Sequence, residues 1–407
     1  MYEFNFDDGM KQGVKRMARV SMVTNMLPPY RVSLYNEIGK GVEFTVILDT
    51  ISEFNRNWDI SPEVTFFKTI VQNCRSFVYK RLRKDVGYTE KRQFQFSERT
   101  LFKLCETSPD VVVTIEYGFK TFWSLFYGWF YDVPVILASE GTIHTEGHVG
   151  WFKSCIRKLI VSQCSRFWSN GPDSTRLLVS YGADPTFIDE GMTGIDTDEW
   201  QHELNACLAD RERIRKELGL RGKVLLFSGS LSPRKGVVLL AEAVEQWHKE
   251  KTVGDFTLLL LGDGECREWL QDWAKRNPAI HLVMPGFLQR HDLPPYFAAA
   301  DWAVLPTIDD NWPLVTLETL VAGLPQLFSI YNGATRDLGT PSSGVVFDPL
   351  NQGDFVQALE RLSELHNSRV SGDVIEHFSR YYCAQSQAER ACRSFSAALA
   401  GSDLHNS

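Results

Sequence analysis

Short apolar runs alternate with amphipathic stretches along almost the whole chain. In the first half, four runs rich in β-branched residues and closed by polar residues predict strands: ARVSMVTN, EFTVILD, VVVTIE and PVILASE. In the second half, the predicted strands KVLLFSGS, DFTLLLLGDG, HLVMPGF, DWAVLPT, PQLFSI and GVVFD are separated by helical stretches such as GVVLLAEAVEQWHKE. Near-continuous apolar strands joined by helices indicate parallel sheets covered on both faces. The pattern predicts an α/β fold of two doubly wound, Rossmann-like domains.

The division between the domains is predicted where Gly and Asp interrupt the alternation, in EGMTGIDTDEW. We expect an N-terminal domain over 1–195, a C-terminal domain over 196–375, and one or two amphipathic helices with a tail over 376–407. The charged stretch DEWQHELNACLADRERIRKELGL predicts a single connecting helix. Since ligands of doubly wound domains bind at the carboxyl ends of the strands, the cleft between the domains is the predicted site.

Charge changes this picture in one region. The net charge of −8 argues against a general nucleic-acid binder. The first 190 residues carry 23 Lys and Arg against 22 Asp and Glu, whereas the remainder carries 20 against 29. Basic residues cluster in YKRLRKDVGYTEKRQF, Tyr79–Phe94, for which we predict a solvated helix face. Contact with an anionic membrane surface or a phosphorylated acceptor is the alternative interpretation.

Three features bear on the compartment. The eight cysteines contain no CxxC pair and lie mostly in apolar segments, which favours reduced thiols and a reducing compartment. The stretch MYEFNFDDGMKQGVKRMARV has no apolar core and is not predicted to be a signal peptide. The aromatic stretch YGFKTFWSLFYGWFYD is too short for a spanning helix and predicts a buried or surface-dipping helix. We expect a cytoplasmic protein, with peripheral contact at the inner membrane face left open.

A candidate phosphate loop follows the strand KVLLFSGS, in GSLSPRKG at Gly229–Gly236. Its first glycine permits close backbone approach, and Arg234 and Lys235 stand just before a helix whose N-terminus favours anions. A solvated turn is the alternative, because the glycine spacing fits neither a Walker A loop nor a GxGxxG fingerprint. The next strand ends in Gly262-Asp263-Gly264, where turn chemistry explains the glycines nearly as well as ligand contact.

The stretch TIDDNWPLVTLETLVAGLP predicts a second ligand-binding element. Pro313 fits the first turn of a helix, where its missing N–H costs nothing. Leu314, Val315 and Thr316 are then expected to present unpaired amides, and Glu318 is expected to face the same cleft as Asp310. Carboxylates accept from hydroxyls and amides donate to phosphates, so the arrangement suits a nucleotide sugar.

Four segments, taken in order, resemble a known family: LLFSGSLSPRKGVVLLAEAV, LLLLGDGECREWL, HLVMPGFLQRHDLPPYFAAADWAVLPT and DNWPLVTLETLVAGLPQLFSIYNGATRDL. They are similar to glycosyltransferase family 4, also called glycosyl transferases group 1, which are retaining enzymes of the GT-B fold. The resemblance extends well over Lys223–Leu362 and more loosely over Arg19–Asp196. It implies two Rossmann-like domains facing across a cleft, an acceptor-binding N-terminal domain, and a C-terminal helix that crosses back to that domain.

The resemblance also implies roles for individual residues. Lys235 matches the lysine that binds the donor diphosphate, Glu318 the glutamate that holds the ribose, and Asp310 a glutamate near the donor sugar. Ser230 stands where the family commonly has Arg, and Arg234 is a plausible substitute for that cation. The full predicted donor-binding set is Gly229, Ser230, Arg234, Lys235, Gly262, Gly286, Phe287, Asp310, Trp312, Leu314, Val315 and Glu318.

Candidate acceptor residues lie in the N-terminal half. Tyr30 and Arg31 follow the first predicted strand, although a structural turn explains them equally well. The loop ASEGTIHTEGHVG holds Glu140 and His144, which join Lys235 and Asp310 as predicted catalytic residues. No metal site is predicted, since the loop supplies too few ligands at usable spacing.

The resemblance implies retaining, metal-independent transfer of a sugar from a UDP- or GDP-sugar to a glycan or lipid-linked glycan, in cell-surface polysaccharide synthesis. Beyond that nucleotide-sugar co-substrate, no cofactor is expected. Two alternatives stay open: a sugar-nucleotide epimerase of GT-B fold, and a non-catalytic glycan- or partner-binding GT-B module.

Overall fold

The structure is a computed structural model that describes residues 16–51, 64–83, 88–147, 149–251, 254–365 and 369–403. The N-terminal elements are β1 (Arg19–Thr24), α1 (Val32–Gly41), β2 (Glu43–Leu48), β3 (Phe67–Val71), β4 (Arg75–Arg83), β5 (Tyr88–Phe96), α2 (Thr100–Thr107), β6 (Val111–Ile115), α3 (Phe119–Tyr131), β7 (Val135–Ser139), α4 (Ile143–Glu146), α5 (Trp151–Ser162), β8 (Arg166–Ser169), α6 (Pro172–Ser180) and β9 (Ile188–Glu190).

The C-terminal elements are α7 (Thr197–Ala209), α8 (Arg211–Glu217), β10 (Lys223–Ser228), α9 (Val237–Glu250), β11 (Phe256–Leu261), α10 (Arg267–Arg276), β12 (His281–Gly286), α11 (Pro294–Ala299), β13 (Trp302–Leu305), α12 (Leu314–Val321), β14 (Gln326–Ser329), α13 (Thr335–Leu338), β15 (Gly344–Phe347), α14 (Gln352–Glu364), α15 (Gly372–Tyr382) and α16 (Ala384–Asp403). Short 3-10 turns occupy Pro29–Arg31, Pro185–Phe187, Pro233–Lys235 and Arg290–Asp292.

Two parallel sheets organise these elements. The first has seven strands in the order β3-β2-β1-β6-β7-β8-β9, and the second has six in the order β12-β11-β10-β13-β14-β15. In each sheet the chain runs outward in one direction and then crosses to the other side of its first strand. This creates switch points between β1 and β6 and between β10 and β13, where loops of doubly wound folds diverge and leave room for a ligand. The two predicted doubly wound sheets are confirmed.

The first sheet is covered by helices on both faces. Tyr35 of α1 and Phe395 of α16 pack with Val20 and Ile136 on one face. On the other face, Tyr127 of α3 packs with strand residues of β1, β6 and β7. The C-terminal helix α16 therefore returns to the N-terminal domain.

Two chain segments connect the domains, and they are hydrogen-bonded to each other. The Ile195 amide donates to the Tyr382 carbonyl at 3.1 Å, and the Ala384 amide donates to the Ile195 carbonyl at 3.1 Å. Between them, the extended backbone of Cys383 separates α15 from α16. We call this pair of crossing segments the hinge.

The prediction of a helix over Tyr79–Phe94 is wrong. This region forms the antiparallel hairpin β4–β5, in register from Arg75 opposite Phe96 to Arg83 opposite Tyr88. The physical reason is that Phe, Val and Tyr residues favour a pleated strand, while clustered charge carries no information about periodicity. The single connecting helix is also wrong, because α7 ends before Asp210 and α8 begins after it.

The helix predicted in the aromatic stretch is confirmed as α3, between β6 and β7. No helix in the described ranges combines the length and the apolar character needed to cross a bilayer. The expectation that the cysteines lie in apolar surroundings holds only in part: Cys266 is buried, whereas Cys105 and Cys155 are exposed.

Candidate active site

The switch point of the second sheet brings the two predicted phosphate loops together. The loop after β10 and the loop after β13 are joined where the Ile308 amide donates to the Arg234 carbonyl at 3.0 Å. Gly236 between them has φ +70°, and a Cβ there would lie 2.0 Å from the Pro306 carbonyl oxygen. Glycine at 236 is thus required for both the backbone conformation and the approach of the loops.

Lys235, Arg234 and Asp310 form an ion cluster at this point. The Lys235 ammonium donates to Asp310 Oδ2, and Arg234 Nη1 lies 3.6 Å from the same oxygen. Arg234 Nη1 also donates to the Asp309 carbonyl at 2.6 Å. Burial alone would raise the pKa of Asp310, but the charges of Lys235 and Arg234 outweigh it and hold that pKa below its ordinary value. The carboxylate therefore stays ionised and fixes the two cations.

The start of α12 lies beside this cluster in sequence and presents amide donors. Pro313 is the N-cap, with φ −70° and ψ 121°, so it precedes the helix and is not in its first turn as predicted. Its carbonyl accepts from the Thr316 amide at 3.0 Å, so the prediction that the Thr316 amide is unpaired is wrong, because the N-cap carbonyl is within reach of that amide. Within the described residues, the Leu314 and Val315 amides donate to no acceptor. Two unpaired N–H groups at a helix N-terminus suit an anion.

Glu318 lies in the second turn of α12 and is half-buried. Burial raises the pKa of its carboxyl, and the nearby charge of Arg290 opposes that rise. Its carbonyl accepts from Trp200 Nε1 at 2.9 Å. The Arg290 guanidinium lies 4.0 Å from the centre of the Trp200 ring and is paired with Glu203 at 2.9 Å. The surroundings of Glu318 thus come from helices and loops far apart in sequence.

Three predicted glycines line the carboxyl ends of neighbouring strands. Gly229 donates to the Leu261 carbonyl and Gly262 to the Gly286 carbonyl, both at 2.9 Å. A Cβ on Gly262, where φ is +136°, would lie 1.9 Å from the Gly229 oxygen. Phe287 follows directly and leaves 57% of its side chain exposed. The structure therefore brings these residues to one edge of the sheet.

Ser230 and Trp312, the remaining two residues predicted to bind the sugar donor, differ in their surroundings. Ser230 is exposed, and its hydroxyl lies 3.0 Å from that of Ser232. Trp312 is buried: its Nε1 donates to Asp337 Oδ2 at 2.9 Å, and its ring packs 5.3 Å from that of Tyr382. Trp312 therefore stabilises the region next to the hinge.

The α4 loop of the N-terminal domain contacts the loop that holds Asp310. His144 Nε2 lies 2.9 Å from the Ile308 carbonyl, and Thr145 Oγ1 donates to Asn311 Oδ1 at 2.7 Å. The His144 ring also packs 4.7 Å from Tyr331. This loop spans the cleft, and it places His144 near the donor-side cluster.

Arg31 and Glu140 are brought together, although they lie far apart in sequence. The buried Arg31 guanidinium donates to Glu140 and lies 3.3 Å from the Tyr35 hydroxyl. Tyr30 is 40% exposed. Because Arg31 already neutralises Glu140, its guanidinium is engaged inside the domain, and Tyr30 is the more accessible of the two predicted acceptor residues.

A polar cluster at the other switch point was not predicted from the sequence. Lys120 donates to Asn25 and lies 3.6 Å from Asp49 and 3.7 Å from Glu116. Glu116 is a non-glycine residue with φ +66°, a strained conformation that is common at functional sites. The signal was available, since Asn25, Asp49 and Glu116 are each the last residue of a predicted strand.

Metal ligands are not gathered in the residues that the structure describes: no three His, Cys, Asp or Glu side chains there are arranged to hold an ion. The chemistry that the cleft offers is therefore that of cations, amide donors, carboxylates and one imidazole. Metal independence stays a prediction.

Comparisons with known proteins bear on the family and the fold of the chain. Residues 210–371 match the family model of glycosyl transferases group 1. The D-inositol 3-phosphate glycosyltransferase of Corynebacterium kroppenstedtii is 26% identical over 222 residues, 52% of this chain and 48% of the relative. The UDP-Gal:α-D-GlcNAc-diphosphoundecaprenol α-1,3-galactosyltransferase of Escherichia coli is 27% identical over 185 residues, 44% and 46%. The chain spans about half the length of the curated relatives it matches.

Among solved structures, Anabaena HepE in complex with UDP has a TM-score of 0.69 at 14% identity, covering 93% of this chain and 100% of HepE. That structural similarity extends over both domains and shows that the chain has the same fold. The resemblance seen in the sequence is confirmed: residues 210–371 match the family model of glycosyl transferases group 1, and the chain has the GT-B fold.

Proposed function

We propose that the chain transfers a sugar from a UDP- or GDP-sugar to a glycan or lipid-linked glycan acceptor, with retention of configuration and without a metal ion. The observation that carries the proposal is the pair of cations Arg234 and Lys235, held by Asp310 at the switch point of the second sheet. The unpaired amides of Leu314 and Val315 open the next helix of the same site.

These groups suit a nucleoside diphosphate. As the bond between the sugar and the diphosphate breaks, negative charge develops on the departing phosphate oxygen. Lys235, Arg234 and the two amides are donors fixed in advance, and such preorganised donors stabilise developing charge without reorganisation. Glu318 is proposed to accept hydrogen bonds from the ribose, and Phe287 to flank the base. HepE binds UDP, and the E. coli relative's name specifies UDP-Gal, so UDP-sugars are the first donors to test.

The anomeric C–O bond breaks, with its electron pair going to the phosphate oxygen, and the acceptor oxygen forms the new bond on the same face. The acceptor proton passes to the departing phosphate. His144 and Glu140 are proposed to orient the reacting groups from the acceptor side, since the α4 loop contacts the loop that holds Asp310.

The acceptor is proposed to enter the switch point between β1 and β6. There Asn25 and Glu116 end the two strands around Lys120, and carboxylate and amide groups suit sugar hydroxyls. The name of the E. coli relative includes a diphosphoundecaprenol acceptor, which supports a lipid-linked glycan and a role in cell-surface polysaccharide synthesis.

The first experiment is a thermal-shift screen of UDP-, GDP- and ADP-sugars, followed by a transfer assay with the selected donor. Lys235→Ala and Glu318→Ala should each lower transfer at least about tenfold, or roughly 1.4 kcal/mol of transition-state stabilisation. Lys249→Ala is the matched control, because that lysine is 67% exposed on α9.

The outcomes separate the alternatives. Full activity in both variants would show that the site is assigned wrongly. Rapid formation of an epimeric nucleotide sugar without any acceptor would favour the epimerase, and the absence of any nucleotide-sugar binding would favour a non-catalytic module.

A further inference from the structure

The N-terminal domain carries a group of exposed aromatic side chains that the donor and acceptor sites do not explain. We call it the aromatic face and define it by Phe77 and Phe94 of the hairpin, Phe126 and Trp129 of α3, and Trp151 and Phe152 of α5. Trp129 is 80% exposed and Trp151 is 79% exposed. Tryptophan is seldom so accessible without a binding role, because monomeric proteins rarely leave large apolar patches in water.

The three elements form one surface. Phe94 packs 6.0 Å from Phe119 at the start of α3, and Phe77 lies opposite Phe94 in the hairpin register, on the same side of the ribbon. A groove between α3 and α5 is lined mainly by apolar side chains, among them Phe126 and Trp129. The aromatic face thus runs from the hairpin along α3 to its groove with α5, and Trp151 and Phe152 are exposed at the start of α5.

The charge of these elements is opposite to that of the chain as a whole. Apart from Lys120 and Arg157, whose charged groups are paired within the domain, the strands β4 and β5 and the helices α3 and α5 contain eight Lys and Arg residues and a single acid, Glu90, in a chain of net charge −8. Lys153 and Lys158 are exposed on α5, beside Trp151 and Phe152, and Lys80 is exposed on β4. Aromatic side chains among lysines match the boundary of an anionic bilayer, where the rings enter the headgroup region and the ammonium groups meet phosphates.

The position of the aromatic face relates it to the cleft. The hairpin follows the carboxyl end of β3, and α3 follows the carboxyl end of β6. Trp151 and Phe152 begin α5, at the same edge of the sheet as the α4 loop. One end of the aromatic face therefore adjoins the proposed acceptor entrance.

We propose that the aromatic face docks the chain on the surface of a membrane rich in anionic lipids, so that the first switch point opens toward that surface. The evidence for docking is the exposure of these side chains and the charge around them. The orientation toward a membrane-anchored acceptor rests in addition on the proposed function.

The test is sedimentation of the full chain with phosphatidylcholine vesicles that either contain or lack phosphatidylglycerol. Wild-type protein should sediment with the anionic vesicles and stay largely unbound with the neutral ones, and added salt should weaken the binding. Trp129→Ser with Trp151→Ser should lower the partition coefficient at least about tenfold, because both side chains leave the interface. Lys153→Ala with Lys158→Ala should lower it roughly fivefold per lysine.

Leu350→Ser is the matched control, since Leu350 is 44% exposed in the C-terminal domain, and it should bind as wild type does. Equal binding of the tryptophan variant and wild type, or no binding to anionic vesicles, would overturn the proposal. So would a wild-type dimer in analytical ultracentrifugation that the tryptophan variant converts to monomer, because a second copy would then cover the aromatic face.

A thermal-shift response to UDP, measured on the same samples, keeps the two proposals apart. Absence of vesicle binding by the wild-type protein, with an intact UDP response, refutes docking alone. Vesicle binding without any response to nucleotides refutes the proposed function alone. Melting curves check that each of the three variants remains folded.

Discussion

Replacing Asp337 by Asn should remove a pH-dependent loss of stability near the hinge. Asp337 Oδ2 accepts from Trp312 Nε1 at 2.9 Å and from the Tyr382 hydroxyl at 3.1 Å, while buried Oδ1 has no hydrogen-bond partner among the described atoms. Burial raises the pKa of Asp337 to about 7, helped by the negative charges of Glu190 and Asp173 and opposed by the two hydrogen bonds. Both of those acids belong to the N-terminal domain, so the pKa of Asp337 depends on the charge of the facing domain.

The magnitude follows from the pKa difference. An ordinary Asp has a pKa of 3.8, and a rise of about three units at 1.36 kcal/mol each corresponds to about 4 kcal/mol at most. Between these two pKa values the folded carboxyl keeps a proton that the unfolded chain releases. The free energy of unfolding therefore falls as the pH rises through this window, and the loss is complete above the folded pKa. The amide oxygen of Asn accepts both hydrogen bonds but never ionises.

Urea unfolding of wild type and Asp337→Asn at about pH 4 and about pH 8 measures the effect. The two proteins should be similarly stable at the lower pH, and the variant should gain up to about 4 kcal/mol over wild type at the higher pH. Asp373→Asn, an exposed acid at the start of α15, should show no comparable gain. A difference between Asp337→Asn and wild type that is equal at both pH values would refute the reasoning.

Two further substitutions test the packing of the site. Gly262→Ala should lower the unfolding free energy by about 1–3 kcal/mol and weaken UDP binding, because its Cβ would lie 1.9 Å from the Gly229 oxygen; Gly254→Ala, with open space around the Cβ, should do neither in melting and titration experiments. Arg31→Met should cost about 1–3 kcal/mol by leaving Glu140 without its hydrogen-bonded cation, and adding Glu140→Gln should recover part of this loss. Strict additivity in that double-mutant cycle would contradict the ion pair.

Periodicity predicted the two sheets because parallel strands buried on both faces must be apolar almost throughout. All five residues of β6 and all six of β11 are buried, for example, as is typical of parallel strands covered on both faces. The hairpin β4–β5 escaped prediction because its charged residues carry no such signature. The break at Asp210 and the position of Pro313 depend on local backbone geometry, which single-residue preferences do not settle.

The parts of the candidate site that lie within one short sequence segment were predictable, and the parts that depend on contacts between distant segments were not. Arg234 and Lys235 were found because a loop after a buried strand is a common place for an anion. The ion pair of Arg31 with Glu140 joins residues 109 positions apart, and the contact of His144 with Ile308 joins residues 164 positions apart. Neither leaves any trace in local spacing, so only the three-dimensional structure reveals that Arg31 is engaged and that the α4 loop spans the cleft.

The most direct test of the donor site compares a nucleoside diphosphate with its nucleoside in calorimetric titrations of wild type and Lys235→Ala. If Lys235 contacts the diphosphate, the variant should bind UDP, or the diphosphate that the screen selects, at least about tenfold more weakly. Its affinity for the corresponding nucleoside, which has no phosphate, should stay unchanged. Unchanged binding of the diphosphate, or an equal loss for diphosphate and nucleoside, would contradict a phosphate site at Lys235.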